Sequence, residues 1–479
     1  MRPTPLAFPN RINLHVACFL LLCMFLHWAV SPASIAQETI AERKDAVRAF
    51  FRDADVGKNY AAATGKILFP DTRADGLQML EELTTTISPD VIERYRMTAA
   101  YLHLHQLISD SMRQRIEYIW GHIPVHPFDG EHERVAYHTA LHLMTRHAGE
   151  DAVFFNGKSM RENERESRAF LLDWIREVTE LGQRDFDSPT YGAVTIAAML
   201  LLRDFALDED LRRAADLMAH WLLADFAHDY LNGSYCGAHA REHMNSAMNP
   251  VASDMSGLGW LYFSESHRMY GREQFLAALS DFEPHSTIVE IATRRAKPFE
   301  SWERKRTARI YRNARNFTLH PDPARATEDV VRYTYMDPLY AIGSIPGGLV
   351  QPREQHSWDV TWISDHPEEP ATFFLMHPYS DPDALRPFMP HSADLALRNT
   401  GLHDPYFGTV TKMVGGSPFE DVFQYKNTLI ALYDIGKISR FPVITGFMPL
   451  DLQSLDIDST ETQWITINTG DVYIGMYPL

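Results

Sequence analysis

Cysteine is almost absent from this 479-residue sequence, with Cys18, Cys23 and Cys236 its only three. The first two fall in an N-terminal segment read below as a cleaved leader. Cys236 then stands alone, no intramolecular disulfide can form, and stability must come from a packed core. Positive charge is also in short supply: 45 Lys and Arg against 63 Asp and Glu give a net charge of −18. That balance argues against general nucleic-acid binding, which needs a basic surface, and means that an anionic partner must be met by a local basic patch. After the first thirty residues no run is long and apolar enough to cross a membrane. Low-complexity tracts and exact internal repeats are missing as well.

The N-terminus has the three parts of a secretory signal. Arg2 and Arg11 carry charge, Val16 to Val30 is nearly all apolar, and Ser34-Ile35-Ala36 offers small residues for cleavage. A run of roughly 15 apolar residues is short for a bilayer span. Residues 1–36 are therefore read as a signal peptide, and the mature chain as exported to the periplasm or beyond the cell, with no membrane attachment. The ~440 remaining residues suffice for two domains.

From Glu38 to about Ser280 apolar residues recur at helical spacing, most clearly over 76–107, 109–121, 132–147, 163–181, 191–206 and 208–229. The stretch 191–206 is apolar almost all round and should be buried on every side. So many helices with short connections predict a helical toroid over 37–290. Residues 293–315 then hold nine Lys or Arg against two Glu, and 291–328 reads as a basic linker, either solvated or lining a groove for an acidic chain. From 329 to 479 short runs rich in β-branched and aromatic residues, such as Trp358–Trp362 and Thr428–Tyr433, predict an antiparallel β-sandwich. The fold class is thus α+β and multidomain. The chain stops just after one such run, which leaves the completeness of the sheet open.

Three polar clusters interrupt the helical half. Gly130-Glu131-His132-Glu133-Arg134 runs into a helix carrying Tyr137, His138 and His142; Arg184-Asp-Phe-Asp-Ser-Pro-Thr-Tyr191 delivers Tyr191 at a helix start; and the loop 232–245 holds His239, Arg241, His243 and Asn245 among glycines. Each lies between two predicted helices, so the loops can converge on one cleft. Each also has a plain reading. Tyr191 can be a satisfied core hydroxyl, His138 and His142 packing residues, and Asp187-Ser188-Pro189 a helix cap.

In this order the clusters resemble the toroid-plus-sandwich polysaccharide lyases of the heparinase II/III and alginate-lyase-like group. The resemblance implies β-elimination on an acidic, uronate-containing polysaccharide. It would place Glu131 and His132 at the position that neutralises the uronate carboxylate, Tyr191 as acid/base, His239 as second base, and Arg184 or Arg241 on the carboxylate, with Asn245 beside them. Where that group has Asn-His, this chain has Glu131-His132-Glu133, and two carboxylates would repel a substrate carboxylate unless protonated or paired. No cofactor is implied, and a divalent metal is left open.

Three other readings compete. Glu131, Glu133, Asp185, Asp187 and Glu242 could supply the carboxylate pair of a glycoside hydrolase. Trp358, Trp362, Trp464 and Tyr379 could stack on sugars in a non-catalytic binding protein. His239-Ala-Arg-Glu-His243 fits the H-x-x-E-H pattern of inverted zinc peptidases, though glycines before it and Pro250 after it allow only a short helix.

Overall fold

The computed structural model describes residues 38–126, 130–147, 149, 152–264, 268–306, 329–346, 354–364, 366, 369–378, 413–417, 419–435, 441–449, 454–457 and 464–478. The expected signal peptide, most of the basic linker and Tyr379 lie outside them. The chain divides into two units at Arg43/Lys44. Thr39 caps the start of the helix Ile40–Asp53, its Oγ1 accepting from the Glu42 amide at 3.2 Å. No helix among the described residues is long and apolar enough to cross a membrane.

The second unit is α+β. After the first helix come Tyr60–Leu68, Arg73–Thr85, Val91–Leu104, Asp110–His122, Glu131–Thr145, Met160–Leu181, Tyr191–Phe205 and Glu209–Asp229. Four short helices follow, Met244–Met248, Asp254–Tyr262, Arg272–Leu279 and Ser286–Thr293. The stretch 76–107 falls in two helices, because Pro89 cannot continue a helix and Asp90 starts the next, accepting from the amides of Ile92 and Glu93. Tyr191–Phe205 is buried continuously from Ala193 to Leu202, as its all-round apolar pattern requires. Helices Glu131–Thr145, Glu209–Asp229, Asp254–Tyr262 and Arg272–Leu279 pack on it.

The β half is an antiparallel six-stranded sheet ordered in space Thr445–Phe447, Thr372–Met376, Trp358–Trp362, Tyr340–Ser344, Asp329–Met336, Phe299–Arg306. A hairpin, Glu420–Tyr425 with Thr428–Tyr433, and a three-stranded sheet, Ser454–Ile457, Ile465–Asn468 and Tyr473–Met476, accompany it. The basic stretch therefore contains a strand. Phe299–Arg306 pairs along its whole length with Asp329–Met336, and its residues alternate, with Glu300, Trp302 and Arg304 exposed and Lys305 buried.

The loop after Glu209–Asp229 lies directly on the sheet. Gly237 and Gly343 meet so closely that a Cβ on Gly343 would sit 2.5 Å from the Gly237 Cα, and Gly237 has φ +92°. His239 and His356 exchange backbone hydrogen bonds of 2.9 Å, and the Glu242 amide donates to the Glu354 carbonyl at 2.8 Å. The segment 354–356 is thus added as a short extended partner to the third polar cluster.

Candidate active site

The first two polar clusters interlock through Glu131. Its carboxylate is buried and accepts from Trp174 Nε1 at 2.9 Å and from the amides of Arg184 and Asp185 at 2.7 and 3.0 Å. Its own amide donates to Asp185 Oδ2 at 2.9 Å. Burial and the neighbouring Asp185 push the Glu131 carboxyl above its ordinary range. With three donors on it, this carboxylate is a clamp between the loops and does not face a substrate. Glu133 turns back to accept from the Gly130 amide at 2.9 Å, capping its helix. The repulsion expected from Glu131 and Glu133 is relieved because both are bound by the protein's own N–H groups.

His132 stacks face to face on Tyr191, with ring centroids 3.7 Å apart and 13° between planes, and its Nδ1 lies 3.1 Å from Asp185 Oδ2. Tyr191 begins its helix because Ser188 Oγ accepts its amide at 3.1 Å. Asp187, read as part of that cap, instead has φ 51° and sends its carboxylate away into the interior. The Tyr191 hydroxyl lies 3.0 Å from Nε2 of the exposed His243. The Arg241 guanidinium is 5.8 Å from the Tyr191 ring centre. Arg241 also pairs with Glu354 Oε2 at 3.1 Å and approaches Asp185 Oδ1 at 3.8 Å.

These groups are tuned in opposite directions. Burial, reinforced by the Glu354 charge, pushes the Tyr191 phenol up to about 12. Surrounding protein and the Arg241 charge push His243 below its usual value, against the opposing pull of Glu354. Burial works to raise Asp185, but His132 and Arg241 hold its carboxyl below the usual range. At neutral pH Tyr191 is a proton donor, His243 a neutral acceptor and Asp185 an anion.

The structure therefore brings together His132, Tyr191 and Arg241 from the expected set, with Glu131 and the Arg184 amide behind them. His239 is elsewhere. It is 2% exposed, and its ring nitrogens face the carbonyls of Asp187 at 2.7 Å and Tyr235 at 3.1 Å. A ring enclosed in this way has no nitrogen open to a substrate, and His243, four residues on, occupies the position beside Tyr191. The reversal comes at Arg241, whose φ of 54° turns the chain between the two histidines. Asn245 is exposed in the short helix Met244–Met248.

The same geometry disposes of the H-x-x-E-H arrangement. Residues 239–243 are not helical, and the buried Glu242 accepts from the His243 amide at 2.8 Å and from Ser246 Oγ. Glu354, by contrast, was beyond the reach of sequence reasoning, since nothing in 351–356 links it to a loop more than a hundred residues earlier.

Among the described residues the one carboxylate group with metal-ligand spacing is Asp187, Asp225 and Glu303. A cation of the protein's own already occupies its centre. Lys305 Nζ lies 2.9, 2.7 and 3.1 Å from these three carboxylates. Arg332 extends the cluster to Asp229 and again to Asp187 and Glu303, and donates to the carbonyls of Ala238 and Cys236. This buried network ties the end of helix Glu209–Asp229 and the Asp187 loop to the paired strands Phe299–Arg306 and Asp329–Met336. Trp358 and Trp362 are 5% exposed and belong to the core, which removes them as sugar platforms, whereas Trp464 is 47% exposed.

Comparison with protein-family models, with curated proteins and with solved structures finds no match.

Proposed function

We propose that the protein is an exported polysaccharide lyase that cleaves an acidic, uronate-containing chain by β-elimination at Tyr191 and His243. In this reading the helices form a toroid, the strands a sandwich beside it, and residues 1–36 the export signal. The observation that carries the proposal is the 3.0 Å contact of the Tyr191 hydroxyl with His243 Nε2, with Arg241 alongside.

Abstraction of a proton next to a carboxylate needs a base within reach and a cation for the developing enolate. His243, held neutral, takes the C5 proton on Nε2. Arg241 faces the uronate carboxylate as negative charge builds on it. The C4–O4 bond then breaks, a C4=C5 double bond forms, and Tyr191, a phenol across the neutral range, gives its proton to the departing oxygen. Passage of the proton from His243 to Tyr191 along their hydrogen bond restores both groups. His132, stacked beneath Tyr191 and anchored by Asp185, orients the phenol. The role sketched for His239 thus passes to His243.

The test is ultraviolet absorbance of unsaturated products after incubation with a panel of uronate polysaccharides. A rise is expected, lost in both Tyr191→Phe and His243→Ala. New reducing ends without a rise would replace elimination by hydrolysis, and silence in both assays would leave only binding.

A further inference from the structure

We propose a second carbohydrate contact, a single-ring platform at Trp302 on the edge strand, which holds a pyranose of the same acidic polysaccharide away from the Tyr191 site. It rests on the polysaccharide reading above but not on the elimination chemistry.

Trp302 is 60% exposed, yet its ring is not loose: it lies on Tyr333, centroids 3.9 Å apart and 23° between planes, and Tyr333 is fully buried. Tyr333 is fixed in turn, donating from its hydroxyl to Glu300 Oε2 at 2.6 Å and accepting from the Lys426 amide at 2.9 Å. One face of the indole is therefore pinned and the opposite face presented to solvent as a rigid, flat, apolar surface. The setting around it is polar. Glu300 and Arg304 flank Trp302 on the same exposed side of the strand, and at the hairpin turn Lys426 Nζ lies 5.4 Å from the ring centre of the 70% exposed Tyr425.

A protein partner would need a contiguous interface on the order of 1,000 Å². One ring set among charged side chains matches instead the C–H face of a sugar, whose hydroxyls and carboxylate meet the rim. Arg304 and Lys426 supply local positive charge of the kind a protein of net charge −18 needs to meet an acidic chain.

Affinity electrophoresis through gels cast with polygalacturonate, alginate or heparan sulfate, with dextran as neutral control, tests this. The full protein should be retarded by at least one acidic polymer. Trp302→Ala should weaken that retention about tenfold, or about 1.4 kcal/mol, a loss in keeping with one aromatic ring, while Trp302→Tyr keeps most of it. Both variants should unfold cooperatively, with Trp302→Ala melting slightly below the parent protein because the stack on Tyr333 is lost. Equal retention by Trp302→Ala, or no retention of the parent by any acidic polymer, overturns the platform. Retention that depends on Trp302 without any ultraviolet product would leave the platform standing and sink elimination. Product formation with retention indifferent to Trp302 would do the reverse.

Discussion

Replacing Lys305 by methionine removes the ammonium group at the centre of Asp187, Asp225 and Glu303 while keeping most of the side chain's volume. The native cluster sets four carboxylates, with Asp229 the fourth, against two cations, Lys305 and Arg332. The balance shows in the protonation of its members. Burial pushes Asp225 up to about 8 and Asp229 to about 7, whereas Lys305 and Arg332 prevail over burial at Asp187 and hold it at about 2. With one cation gone, one more carboxyl must stay protonated in the folded state. Its unfolded pKa is about 3.9, so keeping that proton at pH 7 costs about three units at 1.4 kcal/mol each, or about 4 kcal/mol. That agrees with the roughly 3–5 kcal/mol typical of breaking a buried ion pair.

The sign follows from the same linkage. A carboxyl whose folded pKa is raised stabilises the fold at low pH and loses that contribution as pH rises towards its folded value. The penalty of Lys305→Met should therefore be only about 1.5 kcal/mol at pH 5 and grow by about 1.4 kcal/mol per unit above it. Urea unfolding of both proteins at pH 5, 6 and 7 measures this. Adding Asp225→Asn to Lys305→Met should recover part of the loss at pH 7, because it removes one of the carboxyls that the folded state must keep protonated there. A penalty that is flat with pH, or below about 1 kcal/mol at pH 7, would refute the account of the cluster.

Two further predictions concern the site. Elimination should rise with pH through a His243 pKa below the usual value of about 6.5 and then stay level, because Tyr191 keeps its proton until about 12; an alkaline fall centred well below that value would show that another acid serves. Gly130→Ala would place a Cβ 2.7 Å from His132 Cε1, 2.8 Å from Glu133 Oε2 and 2.9 Å from Arg241 Nη2. Turnover should drop on the order of 10–100-fold for a stability loss of about 1–2 kcal/mol, read from initial rates beside thermal melts.

The sequence by itself determined the order of elements and the three clusters. Apolar spacing marked the helix from Tyr191, β-branched and aromatic runs marked strands such as Trp358–Trp362, and both patterns are local consequences of backbone periodicity. Pro89 is the local signal that divides 76–107. Only the tertiary structure decided which histidine reaches Tyr191. His239 and His243 share one loop, and the left-handed turn at Arg241 sends the first into the interior and leaves the second beside the phenol. Nor could the basic stretch disclose that Lys305 is buried, since cations stand on both faces of its strand and the period of two carries no contrast there. Asp225 and Glu354 acquire their roles from partners 80 and 113 residues away, Lys305 and Arg241. Charge pairing at such separations is settled by which backbones the fold brings together, and no local pattern records it.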